Sequence, residues 1–127
     1  MLKAKDIMNK NFETVTGDTK VQKICGILAK NKVSSVPVVR NGKKLIGFVS
    51  ERDIVSFASK SRNIFNKKAK DIMTKNVISV KESTAIEQIS KIFTEHLFRH
   101  IPVIRKGIVV GVISRRQVIN RLLRQYY

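Results

Sequence analysis

The chain is short of acid. Nine Asp and Glu stand against 26 Lys and Arg in 127 residues, a formal net charge of +17 at pH 7. Thirteen basic and five acidic side chains precede Phe65, and thirteen and four follow from it on, so no separate basic tail carries the excess. Such a body attracts phosphate-bearing or otherwise anionic partners, and the long-range field does not choose among a nucleotide, a nucleic acid and an anionic protein. Aromatics are also scarce, at 6% with no Trp, which gives little support to stacking on single-stranded bases. A single cysteine excludes an internal disulfide, and Cys25 lies at helical spacing from Val21, Ile24 and Leu28, the pattern of a buried thiol. The longest apolar run, 108–113, is far too short to cross a bilayer, so no membrane association is expected. The opening residues carry no apolar stretch of the secretory type, which points to the cytoplasm. Glycine-rich phosphate loops are missing, as is any nucleophile with an identifiable base, so catalysis is not expected.

What the chain does have is a second copy of itself. Lys-Ala-Lys-Asp-Ile-Met at 3–8 returns letter for letter at 68–73. Val36-Pro37-Val38-Val39 is answered by Ile101-Pro102-Val103-Ile104, and Gly47-Phe48-Val49-Ser50 by Gly111-Val112-Ile113-Ser114, after a one-residue deletion expected between Gly107 and Gly111. The chain is a tandem duplication, with a first repeat at 1–60, a basic linker at 61–67 and a second repeat at 68–127. Each half alone is small enough to bury only a marginal core, so the halves are expected to stabilise each other as one compact, pseudo-twofold module.

Within the first repeat a short extended run at 12–15 leads to Asp18, which is placed to cap an amphipathic helix carrying Val21, Ile24 and Leu28 and ending at Asn31 and Lys32. Segments 36–40 and 45–50, joined by Asn41-Gly42, read as a β-hairpin, and a helix follows from Glu51. The second repeat gives the same order, with an extended run at 77–80, a helix at 84–95, strands at 101–105 and 108–113, and a closing helix reaching Tyr126. Both repeats are β-α-β-β-α, an α/β fold.

That order, the Asp-Ile-Met opening, the apolar-Pro-Val strand and the Gly-x-x-Ser-x-x-Asp segment at 47–53 resemble a pair of CBS domains over nearly the whole chain. The resemblance implies a regulatory module whose clefts between repeats bind adenosine-type ligands such as AMP, ADP, ATP or S-adenosylmethionine. It also implies a homodimer, no required cofactor, and a separate protein that is regulated. Ser50 then serves the phosphate and Asp53 the ribose hydroxyls, a task suited to a two-oxygen acceptor. The same Ser-x-x-Asp spacing is equally a helix capping box, and the two roles are compatible. Arg99 and His100 match a position from which basic side chains reach ligand phosphates, where the first repeat has Ser34 and Ser35. Arg52, Arg115 and Arg116 are further phosphate candidates. Met8, Val36 and Pro37, with Met73, Ile101 and Pro102 in the second copy, are offered for the adenine, although each also reads as core.

In the second repeat the serine persists as Ser114, but the acid becomes Gln117, which presents one neutral carbonyl. The two sites are therefore expected to be unequal, the first binding a nucleoside more tightly. His96 and His100 straddle the end of a helix with no acid or thiol to complete a metal site, so no metal is expected. The competing reading is a nucleic-acid-binding protein, motivated by Lys67, Lys68 and Lys70 in the linker region and by Arg121 and Arg124 on the polar side of the last helix.

Overall fold

The computed structural model describes residues 1–126, with side chains described as far as Arg124. In chain order the elements are α1 (Ala4–Ile7), β1 (Val15–Thr16), α2 (Val21–Asn31), β2 (Ser35–Arg40), β3 (Lys44–Ser50), α3 (Glu51–Ala58), a 3-10 turn (Ile64–Asn66), α4 (Ala69–Ile72), α5 (Ile86–Glu95), β4 (His100–Arg105), β5 (Ile108–Ser114) and α6 (Arg115–Tyr126). Among the described residues no helix is long and apolar enough to cross a membrane.

The chain forms two compact units that do not follow the sequence repeats. One is Glu13–Val77, and the other joins Met1–Phe12 to Ile78–Tyr127. Each unit therefore takes its opening helix from one repeat and its body from the other. The identical hexapeptides fold identically: Asp6 Oδ2 accepts from Lys3 N at 2.9 Å and Asp71 Oδ2 from Lys68 N at 2.8 Å, closing α1 and α4 at their first turn. Ala4 and Ile7, like Ala69 and Ile72, are then buried.

In the continuous unit, β1 runs parallel to β2, and β2 pairs antiparallel with β3. Val21, Ile24 and Leu28 on α2 pack with Val36, Val38 and Val49 and with Ala69 and Ile72 of α4. Cys25 is half-buried beside them, and burial pushes its thiol above its ordinary range. Lys32 ends α2 in the left-handed conformation (φ 54°). Asp18 does not cap this helix. The residue before it is Lys20, and the first helical amide, Val21 N, donates to Lys67 O at 2.8 Å. With that donor satisfied by backbone, Asp18 turns to Lys68 and Lys70, whose Nζ atoms lie 3.6 and 3.2 Å away. The basic linker is more than a connection, because its 3-10 turn packs Ile64 against the same core.

In the discontinuous unit, β4 pairs antiparallel with β5, and Ile86, Ile89 and Phe93 of α5 pack with Ile101, Val103, Ile113, Val118, Ala4 and Ile7. The extended run at 77–80 is not a strand; only Val80 makes an isolated parallel bridge, to Val103. The deletion expected between Gly107 and Gly111 falls directly after Gly107, in the hairpin turn. Three residues, Asn41, Gly42 and Lys43, join β2 to β3, whereas Lys106 and Gly107 alone join β4 to β5. All five have positive φ, and the two-residue turn has the form that follows strand twist.

Candidate functional site

In the continuous unit the end of β3 and the start of α3 are locked by a reciprocal capping box. Asp53 N donates to Ser50 Oγ at 3.1 Å, while Ser50 N and Ser50 Oγ donate to Asp53 Oδ2 at 2.9 and 3.0 Å. The first helical amide, Glu51 N, donates to Ser34 O at 2.8 Å, and Ser35 lies directly across from Ser50 on the neighbouring strand. The Asp53 carboxylate is thus held by one oxygen. Its Oδ1 is approached by the Thr74 hydroxyl at 3.4 Å, with Oδ2 at 3.5 Å from the same hydroxyl, both weak contacts. Thr74 was not anticipated. Its signal was its place immediately after the repeated hexapeptide, which is occupied by Asn9 in the first copy.

The other unit repeats this arrangement with changed chemistry. Ser114 N donates to Gln117 Oε1 at 2.7 Å, and Gln117 N to Ser114 Oγ at 3.1 Å. The one side-chain oxygen of Gln117 already serves the cap and carries no charge, and its other end is an NH2 donor. Arg115 N donates to Arg99 O at 3.1 Å, and His100 lies opposite Ser114 in the strand pair. Arg99, His100, Arg115 and Arg116 therefore all belong to the entry of α6, whose first turn holds no acid. Burial, reinforced by the charge of Arg99, holds His100 below its ordinary range, so the imidazole is neutral at pH 7. Cations at a helix N-terminus oppose the dipole, so this end is electrostatically prepared for an anion.

Four of the apolar candidates are core residues in this structure, and Met8 and Met73 are half-buried against the two cores. Val36 is 1% exposed and Ile101 0%, and Pro37 and Pro102 are buried. Met8 belongs with Ile101 and Pro102, and Met73 with Val36 and Pro37, the reverse of their sequence grouping. The methionines sit where glycines leave room. A Cβ on Gly47 would lie 2.6 Å from Met73 Sδ, and one on Gly111 2.5 Å from Met8 Sδ. Beside them, Thr74 and Phe48 exchange backbone bonds of 2.9 and 3.0 Å, as do Asn9 and Val112 at 2.8 and 3.0 Å. Of the sequence-derived candidates, Ser35, Val36, Pro37, Ser50, Arg52 and Asp53 lie in the continuous unit. Met8, Arg99, His100, Ile101, Pro102, Ser114, Arg115, Arg116 and Gln117 lie in the other.

The CBS domain pattern matches residues 4–60 and 69–124. The chain belongs to the CBS domain family. Its mixed α/β fold is that of a CBS pair: CBSX2 of Arabidopsis thaliana, solved in complex with AMP, superposes with a TM-score of 0.90 at 25% identity over 100% of both chains. The CBS domain pair of protein MJ0100, solved with 5′-methylthioadenosine and S-adenosyl-L-methionine, gives a TM-score of 0.84 at 26% identity, covering 96% of this chain and 99% of that one. Among curated relatives, homoserine O-acetyltransferase of Methanococcus vannielii is 30% identical over 92% of this chain, and inosine-5′-monophosphate dehydrogenase of Aquifex aeolicus 32% over 87%. The CBS pair spans only 24% and 22% of those two enzymes. An uncharacterised protein of Methanocaldococcus jannaschii is 26% identical and is matched over 90% of its length.

Proposed function

We propose that this CBS pair is a non-catalytic, cytoplasmic sensor of an adenosine-type ligand that regulates a separate protein. The observation that carries the reading is the state of Asp53, whose carboxylate is oriented through one oxygen by Ser50 while the other meets only the long contact to Thr74. A carboxylate fixed in this way accepts from both hydroxyls of a ribose with little ordering left to do. The adenosine compounds bound by CBSX2 and by the MJ0100 pair support the ligand class. Arg52, in the first turn of α3 between Glu51 and Asp53, answers the phosphate, and Arg99, Arg115 and Arg116 offer the same chemistry in the other unit. Because Gln117 presents one neutral carbonyl, already bonded to the cap, a ribose is held more weakly there, and the two sites bind unequally. Regulation follows if the ligand binds two conformations with different affinity, which shifts their populations.

The test is a thermal-shift and calorimetric titration of wild type and Asp53→Asn with AMP, ADP, ATP and S-adenosylmethionine. Asparagine retains an acceptor for the cap, as Gln117 does in the second repeat, so the fold should survive. Loss of charge-assisted hydrogen bonds worth about 1.5–3 kcal/mol should weaken binding roughly tenfold or more. Ligand binding that is indifferent to Asp53→Asn would leave Ser50 and Asp53 as a helix cap alone.

The family resemblance further supports a homodimer, and exposed Val55 and Phe57 on α3, with Ile119, Leu122 and Leu123 on α6, supply apolar surface for it. Because the chain carries +17, association should strengthen with added salt. Sedimentation at two ionic strengths tests this, and a monomer at both would remove the dimer.

A further inference from the structure

Lys20 and Lys68 form an isolated antiparallel bridge, flanked by Val21 N to Lys67 O and Ala69 N to Thr19 O, each 2.8 Å. Residues so placed are the narrow pair of an antiparallel ladder, with side chains on one face and Cβ atoms about 4.5–5.5 Å apart. Two lysines facing each other there repel. Lys23 lies one helical turn on from Lys20, and Lys67 and Lys70 flank Lys68. The acid they share is Asp18, and it reaches only Lys68 and Lys70.

The fold does not require this arrangement, because the other unit builds the same bridge without it. There Lys3 pairs with Ala85 through Ala4 N to Thr84 O at 2.8 Å and Ile86 N to Leu2 O at 3.0 Å. At the places of Lys20, Lys23 and Lys67 that unit has Ala85, Gln88 and Leu2, and Glu87 stands at the place of Gln22. With Lys81 and Glu82 at the places of Thr16 and Gly17, five lysines against one acid in one unit become three lysines, Lys3, Lys5 and Lys81, against two acids, Glu82 and Glu87, in the other. The charge is concentrated on one copy of a duplicated feature.

We propose that this lysine bridge is a docking surface for the phosphate backbone of duplex nucleic acid. The surface goes beyond ligand sensing and does not depend on it. A protein partner needs an apolar centre to desolvate, but the depression here, about 420 Å3, is lined by Thr16, Asp18, Thr19, Lys20, Gln22 and Lys23. The nearest exposed aromatic in sequence is Phe65, on the 3-10 turn, and one ring is too few to stack along a single strand. What this surface offers is lysines gathered on one backbone bridge among hydroxyls and an amide, the chemistry of contact with a phosphate backbone.

The experiment measures fluorescence anisotropy of a labelled 20-base-pair duplex between 50 and 200 mM salt, about the range over which phosphate contacts are lost. Lys20→Ala with Lys23→Gln installs residues the other unit already carries, so folding should persist and the melting temperature should hold or rise. Its affinity should fall roughly tenfold, and its log K against log salt slope should flatten by about two contacts. Lys3→Gln with Lys5→Gln removes the same charge at the equivalent place of the other unit and should change affinity less than about threefold. Asp53→Asn should leave duplex binding intact, which separates this surface from the ligand reading. Equal loss in both double variants would overturn the proposal, as would no duplex binding at low salt. Lysine-dependent binding to anionic lipid vesicles without duplex binding would overturn it in favour of a membrane.

Discussion

The surroundings of Gly47 show how closely single atoms are specified. Gly47 is buried under Met73, and a Cβ there would lie 2.6 Å from Sδ, 2.9 Å from Cγ and 3.0 Å from the carbonyl oxygen of Thr74. The thioether can swing away, but the carbonyl belongs to the backbone bridge with Phe48 and cannot move without breaking it. Gly47→Ala should therefore cost about 1–3 kcal/mol in urea denaturation. Met73→Ala should recover only part of that loss, since the carbonyl clash remains, and full recovery would place the strain in the sulfur alone. His100 supplies a pH-dependent term. Its folded-state pKa lies below the ordinary 6.5 because burial, and then Arg99, disfavour the imidazolium. The unfolded chain binds the proton more readily, so stability should be level above about pH 7 and fall as pH drops through 6.5 toward the lower folded value. Melting temperatures from pH 7.5 to 5.5 should show this slope, and His100→Gln should flatten it.

At the scale of elements, the two capping boxes are near copies, each with its serine hydroxyl 3.1 Å from the amide three residues on. Ser50→Ala and Ser114→Ala should each cost about 1 kcal/mol, measured by chemical denaturation. Comparable losses would show that the caps work alike, although only one helix carries a carboxylate. Ser-x-x-Asp and Ser-x-x-Gln were legible in the sequence as caps because a capping box is local, complete within four residues. The hairpins and the helices around Ile24 and Ile89 were legible for the same reason, since periodicity and turn chemistry are short-range signals. Asp18 was misplaced because its competitor for Val21 N is the carbonyl of Lys67, distant in the chain. The run at 77–80 reads as extended and yields one bridge, because strand formation depends on a neighbour that sequence alone does not name. The ligand assignments of Ser50, Asp53 and the arginines rest on resemblance; local physics requires only the caps.

At the scale of the molecule, the duplication and the folding units are out of phase, and this decides how the chain can be cut. A fragment of residues 1–60 is one sequence repeat, yet it lacks Ala69, Ile72 and Met73, which pack on Val36, Val38 and Val49. It keeps Ala4 and Ile7, whose partners Ile101, Val103 and Ile113 are then absent. A fragment of residues 13–77 crosses the repeat boundary but contains one compact unit whole. Losing the burial of Ile72 and the smaller Ala69 and Met73 contacts removes about 3–5 kcal/mol. That is most of what a domain of this size has, since the smallest stable domains retain roughly 5 kcal/mol. Expressed separately and followed by circular dichroism, 13–77 should melt with a cooperative transition, and 1–60 should lose signal gradually from the lowest temperature. Because nine more basic than acidic charges crowd residues 13–77, added sulfate should raise the melting point of that fragment. Cooperative melting of 1–60, matched or exceeded by no transition in 13–77, would mean that the repeat is the folding unit and that the exchanged opening helices contribute little to either core.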